Sequence, residues 1–248
     1  MDTFSSIVLG VVQGLTEFIP VSSSGHLVIA QKLLPNFSQQ GIVFDVFLHL
    51  GTLLAVFVYF RKKIISLLED PHYLVILFVG TIPAVVVGFL FKDYLESSYK
   101  LGGIFLGIQF LITSLFCFLT DKKTGTRTNI TIKDSWVIGL SQAFAILPAV
   151  SRSGATIFTA VTRGIKNKEA AEYSFLLSIP AILGANILEI ISHQDQVFPL
   201  SNAYGIGFLV SFLTGMFSIY VTIRFLYKKM FKVFAVYTLA LGVLVTFI

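Results

Sequence analysis

Six apolar runs dominate this chain of 248 residues, and two further runs are apolar but broken by polar side chains. A helix needs about 20 mainly apolar residues to cross the hydrocarbon core of a bilayer. The runs at about Ile42–Phe60, Tyr73–Phe91, Leu101–Thr120, Tyr173–Ile191, Ala203–Ile223 and Val233–Ile248 reach that length or nearly do, the last being short. Only 12% of the residues are charged and the mean hydropathy is +0.86, against about 25% charged in an ordinary soluble domain. So few charges cannot cover the surface of a water-soluble protein. The chain reads as an all-α polytopic membrane protein, because only helices or closed barrels satisfy their backbone in lipid.

That class changes the meaning of the remaining composition. A net charge of +5 suggests topology rather than nucleic acid, since short cytoplasmic loops collect Lys and Arg. The lone Cys117 excludes an intramolecular disulfide framework and any zinc site built on several cysteines. The N-terminus has no basic stretch ahead of its first apolar run, which stops at Gln13, so a cleaved signal peptide is not expected.

The two broken runs, Ser6–Ile29 and Trp136–Val161, resemble each other. At an offset of 129 residues, Gly10, Gln13, Val21, Ser22, Ser24 and Gly25 match Gly139, Gln142, Val150, Ser151, Ser153 and Gly154. Three apolar spans lie between the copies. An odd number inverts the second copy across the membrane if each broken run returns to its own side. Broken backbone at membrane depth is tolerated only where protein buries it or water lines it, and inverted repeats with broken helices meet at the midplane. The expected architecture is therefore six transmembrane helices plus two re-entrant helical hairpins. These form one integral-membrane domain of two inverted repeats, about residues 1–120 and 130–248.

Charge supports that topology. With both broken runs re-entrant, the loops 61–70, 121–135, 163–172 and 224–232 share one side and hold 14 of the 18 Lys and Arg residues. The other side holds Lys32, Lys92 and Lys100, and Arg152 lies inside the second hairpin. This is a positive-inside distribution, which puts the termini and the first hairpin on the outer face.

Ionisable groups at membrane depth are costly and are functional candidates by default. The first hairpin reads Gln13-Gly14-Leu15-Thr16-Glu17-Phe18-Ile19-Pro20-Val21-Ser22-Ser23-Ser24-Gly25-His26. Gln13 and Glu17 share a helix face, and Pro20 ends the helix because the residue before proline disfavours helical geometry. Capping accounts for one serine but not for Glu17 and His26 at the same depth. In the second hairpin, Pro148-Ala149-Val150-Ser151-Arg152-Ser153-Gly154-Ala155-Thr156 sets Ser and Gly before a new helix, whose free amides and dipole favour an anion. Arg152 adds a guanidinium fork suited to phosphate. Arg152 can equally pair with Glu17, and both roles are compatible in a resting enzyme. One hairpin thus offers nucleophile and acid–base groups and the other a phosphate clamp, the combination phosphoryl transfer needs. Asp45 and His49 could share a face toward the site or could serve as interfacial residues. Gln109, Asn186 and Glu189 read as interhelical or interface residues, and His72 and His193 as solvated loop residues.

At these residues, and at Phe44-Asp45-Val46-Phe47-Leu48-His49-Leu50-Gly51-Thr52 between them, the chain resembles the undecaprenyl-diphosphate phosphatase family, the integral-membrane phosphatases linked to bacitracin resistance. The resemblance implies hydrolysis of undecaprenyl diphosphate to undecaprenyl phosphate, recycling the lipid carrier for cell-wall synthesis in a bacterial plasma membrane. By motif, Glu17, Ser23, His26 and Arg152 correspond to the family's catalytic residues. Gln13, Ser22, Ser24, Ser151, Ser153, Gly154 and Thr156 fall around the diphosphate. The family uses Mg²⁺ or Ca²⁺, for which Glu17 is the candidate ligand here. Two positions depart from the pattern: Gln13 stands where Glu is frequent, which shifts acid–base work onto Glu17 and His26, and Ala149 stands where Gly is usual.

The expected chemistry is attack by Ser23 on the terminal phosphorus, with His26 or Glu17 as base and Arg152 stabilising charge. A competing version has metal-bound water attack directly. The expected partners are a polyprenyl diphosphate lipid and the membrane, with no nucleic acid, and a second copy of the chain is left open. The alternative function is a lipid-phosphate transporter or flippase using the same midplane anion site. Transport needs the clamp but has no evident use for a nucleophile.

Overall fold

In a computed structural model, the described residues are 2–34, 41–91, 103–192 and 202–247. They form helices α1 (Thr3–Phe18), α2 (Ser23–Leu33), α3 (Gly41–Tyr59), α4 (Arg61–Leu68), α5 (Pro71–Leu90) and α6 (Gly103–Thr120), then α7 (Ile132–Phe144), α8 (Arg152–Thr162), α9 (Asn167–Ser192), α10 (Asn202–Tyr227) and α11 (Lys232–Thr246). Lys92, Lys100 and His193 lie outside the described residues.

Local chemistry sets the helix ends. Asp2 caps α1 by accepting from the Ser5 amide at 2.6 Å, and α1 stops at Phe18 with Ile19 extended ahead of Pro20. Asp70 caps α5, which carries Pro71 in its first turn, where a missing N–H costs nothing. Thr131 and Asp134 form a reciprocal capping box on α7. Residues 61–70, counted above as a loop, are mostly the helix α4. It is bent by 76° from α3, with Arg61, Lys62 and Lys63 exposed alongside Ile65 and Leu68. The stretch 61–68 contains neither Gly nor Pro, so nothing in it opposes helix formation.

Helices α5, α6, α9 and α10 are long and apolar enough to cross a membrane, and α3 with α4 makes a fifth candidate. Their outward faces carry Phe78, Phe89, Leu213 and Phe217, each more than half exposed. Apolar surface on that scale needs lipid to cover it, and the molecule is an all-α polytopic membrane protein.

Packing pairs the helices in a matched way. The first broken run lays α1 along α10, and the second lays α7 along α5. Both contacts close on glycine: a Cβ on Gly10 would meet the Gly207 carbonyl at 2.9 Å, and one on Gly139 would meet the Gly80 carbonyl at 2.5 Å. Helix α6 packs along α11, and α3 also rests on α10. Phe18, at the end of α1, meets Phe175 of α9 edge-on at 5.4 Å within a core that includes Ile138, Ile157 and Tyr173.

A buckle closes the far end of the second hairpin. Asp134, on α7, accepts from Arg127 at 3.0 and 3.2 Å and from Arg163, at the end of α8, at 2.9 Å. It also accepts from the Thr131 amide and hydroxyl. Burial pushes the Asp134 carboxyl up, but the bonds from Arg127, Thr131 and Arg163 outweigh it and hold the group well below the ordinary carboxylate range.

Candidate active site

The two hairpins meet at their tips. Ser22 and Ser24 both donate to the Pro148 carbonyl, at 2.8 and 2.5 Å. Gly25 packs so close to Ala149 that an added Cβ would lie 3.1 Å from it. Helix α6 supports both tips. Cys117 donates to the Pro20 carbonyl at 3.2 Å, and Thr113 donates to the Ala149 carbonyl at 3.0 Å while accepting from the Ser151 amide at 2.9 Å. Gln109 accepts from the Ala149 amide at 2.8 Å. Gln109 was expected to bond between helices, whereas Thr113 and Cys117 gave no sequence signal. Ala149 does not adopt positive φ, so the turn needs no glycine there.

Glu17 is the centre of the arrangement. Arg152 donates to its Oε1 at 2.5 Å, while Ser23 and Gln13 donate to its Oε2 at 2.7 and 2.9 Å. The carboxylate is 5% exposed, and a buried charge of this kind persists because it is paired and hydrogen-bonded. The Arg152 Nη1 is buried with no protein partner, so the guanidinium keeps a donor available to an anion beside the one it spends on Glu17. A serine hydroxyl donating to a carboxylate, with a cation alongside, is the form of an activated nucleophile.

The other predicted residues fall into two groups. Ser151 caps α8 by accepting from the Gly154 amide at 3.1 Å and lies 3.2 Å from the Ser153 hydroxyl. Thr156 donates to the Arg152 carbonyl at 2.8 Å and shares a bond with Ser174 at 2.7 Å. Ser151, Ser153, Gly154 and Thr156 thus frame the turn that carries Arg152. His26 lies on α2 with both ring nitrogens engaged: Nδ1 with the Ser22 carbonyl at 2.6 Å and Nε2 with the Tyr237 hydroxyl at 2.7 Å.

His49 joins the site. Its Nδ1 donates to the Asp45 carbonyl at 2.7 Å, and its Nε2 stands 4.0 Å from Glu17 Oε2. Asp45 itself accepts from Gln31 at 3.0 and 3.2 Å, tying α3 to α2. The spacing of Asp45 and His49 left this open in the sequence. Tyr237, 211 residues from His26, carried no signal at all.

The donors do not fit a divalent cation held by protein ligands alone. Both Glu17 oxygens are committed, one of them to a guanidinium. Among the described residues, no three His, Cys, Asp or Glu side chains converge on a point that could hold a metal.

Fold and site together define a membrane-embedded helical protein that brings a serine, a carboxylate and an arginine together between two broken helical segments. The family model described as "Bacitracin resistance protein BacA" matches residues 6–244, and the chain belongs to that family. "Undecaprenyl-diphosphatase 4" of Bacillus cereus (strain ZK / E33L) is 42% identical over 252 residues, covering 99% of this chain and 96% of that protein. "Undecaprenyl-diphosphatase" of Carboxydothermus hydrogenoformans is 39% identical over 98% of this chain and 96% of its own length. The protein of the same name in Methanococcus vannielii is 38% identical over 98% of each.

Proposed function

We propose that this chain is an undecaprenyl-diphosphate phosphatase that releases inorganic phosphate and returns undecaprenyl phosphate to cell-wall synthesis. The observation that carries the reading is the Ser23–Glu17–Arg152 contact, in a family whose relatives bear the name of that activity. The names lend no support to the transporter alternative.

Ser23 Oγ gives its proton to Glu17 Oε2 as it bonds to the terminal phosphorus. The bridging P–O bond breaks, and undecaprenyl phosphate leaves with the bond's electron pair. Arg152 offers its free Nη1, and then the donor released by Glu17, to the phosphoryl oxygens where charge develops. Water then displaces Ser23 from phosphorus, Glu17 returns the proton to Ser23 Oγ, and both of the water's protons remain on the phosphate, which leaves as dihydrogen phosphate. Glu17, rather than His26, is the base in this scheme because it is the group Ser23 touches.

Six spans and two re-entrant hairpins in inverted repeats form the proposed topology. The matched α1–α10 and α7–α5 contacts and their paired glycines support it. The 14-to-3 distribution of basic residues supports a site opening on the outer face of a bacterial plasma membrane.

The test is phosphate release from undecaprenyl diphosphate by protein purified in detergent, where no compartments exist for a transporter to connect. Release that disappears in Ser23→Ala and Arg152→Ala is expected. No release by well-folded wild-type protein overturns the proposal.

A further inference from the structure

Ser22 adopts φ 72° and ψ 103°, a region that L side chains rarely occupy and that costs free energy to hold. The residue immediately precedes Ser23, so the strain sits where the hydroxyl must be aimed. Its repeat counterpart, Ser151, caps α8 in the same way, its side chain accepting from Gly154, but at φ −72°. The two turns share sequence and capping bonds yet differ in backbone. They also differ four residues on, where the first copy has His26 and the second, at the same offset, has Ala155.

His26 Nδ1 bonds to the carbonyl of the strained residue itself, at 2.6 Å. A carbonyl only accepts, so Nδ1 carries the ring proton, and in the neutral ring Nε2 is then an acceptor. The Tyr237 hydroxyl therefore donates to Nε2, at 2.7 Å. The tyrosine ring stacks on the imidazole with centroids 5.6 Å apart and planes 13° apart, and Phe110 closes the other side edge-on at 5.5 Å. The imidazole is fixed in tautomer and orientation with no nitrogen free for Ser23.

We infer that Tyr237, through His26, braces the strained Ser22 turn and so aims Ser23, and that His26 acts as a positioning residue rather than as a base. The inference deepens the phosphatase reading and rests on it. It draws Tyr237, on the last helix of the chain, into the function of the first hairpin.

Asparagine places an amide donor where Nδ1 sits but cannot exchange a proton, so it separates the two roles. His26→Ala is expected to lower kcat by about 100-fold, the order that a small misplacement of a reacting group costs. His26→Asn keeps the bond to Ser22 and stays within about tenfold of wild type. Tyr237→Phe keeps the stacking, loses one hydrogen bond, and lowers kcat about fivefold. It changes KM little and has no further effect in the His26→Asn background.

His26→Asn as inactive as His26→Ala, full activity in Tyr237→Phe, or losses that multiply in the double variant would each overturn the brace. Nitrogen-15 spectra of histidine-labelled protein give a readout independent of turnover. The His26 signal, identified by its disappearance in His26→Ala, should show the Nδ1–H tautomer, and the Nε2–H tautomer overturns the inference. An inactive wild type with the expected spectrum would count against the phosphatase reading and not against the brace.

Discussion

Arg152 and Glu17 lie 135 residues apart in sequence and 2.5 Å apart in space, an ion pair that joins the two hairpins across their tips. The pair keeps each charge compensated while the site is at rest. Under the proposed mechanism, Arg152 trades that partner for phosphoryl oxygens in turnover. Arg152→Lys preserves charge but not the two-armed fork, so the variant should lose most of its kcat yet exceed Arg152→Gln. The Gln variant should fall by about 100- to 1000-fold, as when a donor to transition-state charge is removed. Steady-state phosphate release on the two variants checks the order.

Gln13 donates to Glu17 at 2.9 Å. Gln13→Glu would replace that donor with a second carboxylate, and two carboxylates so close do not both ionise without a cation or a proton between them. Turnover of Gln13→Glu should therefore respond more strongly to Mg²⁺, Ca²⁺ and chelator than turnover of the wild type. Titrating both proteins with each cation after chelation measures the difference.

Asp134 predicts a pH dependence of stability. Its carboxyl titrates lower in the folded protein than in the unfolded chain, so the stabilisation it provides is fully present above the unfolded value of about 4. That stabilisation is lost as pH falls through the depressed folded value. Thermal unfolding in detergent should show stability declining below about pH 5, with a shallower decline in Asp134→Asn. At neutral pH that variant should melt below the wild type, because the charge-assisted bonds from Arg127 and Arg163 to the carboxylate are weakened.

The glycine contacts predict matched losses. Gly139→Ala places a methyl 2.5 Å from the Gly80 carbonyl, and Gly10→Ala places one 2.9 Å from that of Gly207. Each should destabilise the protein by about 1–3 kcal/mol, the cost of overpacking, with Gly139→Ala the worse. Melting temperatures in one detergent decide the ranking.

What the sequence reveals here is what repeats locally. Gln13 and Glu17 are one helical turn apart, Pro20 marks a stop three residues after Glu17, and the second hairpin copies the first at a fixed offset. These relations survive in one dimension. Tyr237 does not, because in sequence it is one more aromatic on an apolar helix, and only the approach of α11 to α2 gives it a partner. His49 was legible as a face-sharing neighbour of Asp45, but its direction depended on how α3 packs beside α1. Asp134 read as a loop residue because its arginine partners, Arg127 and Arg163, come from flanking segments whose convergence no periodicity encodes. Ser22 and Ser151 read alike, and only backbone geometry distinguishes the strained turn from the relaxed one.

The tips of both hairpins hang from α6 through Gln109, Thr113 and Cys117, and α6 ends at Thr120, before the second hairpin begins. On the ribosome, a half-made chain thus holds Ser23, Glu17 and the scaffold for both tips, but not the Arg152 guanidinium. Under the proposed mechanism it stays inert toward the lipid diphosphate until Arg152 has emerged and docked. The same division gives a natural place to cut. Fragments separated at the exposed Lys122–Lys123 link each keep one hairpin whole, and co-expression of the two should restore an activity that neither has alone.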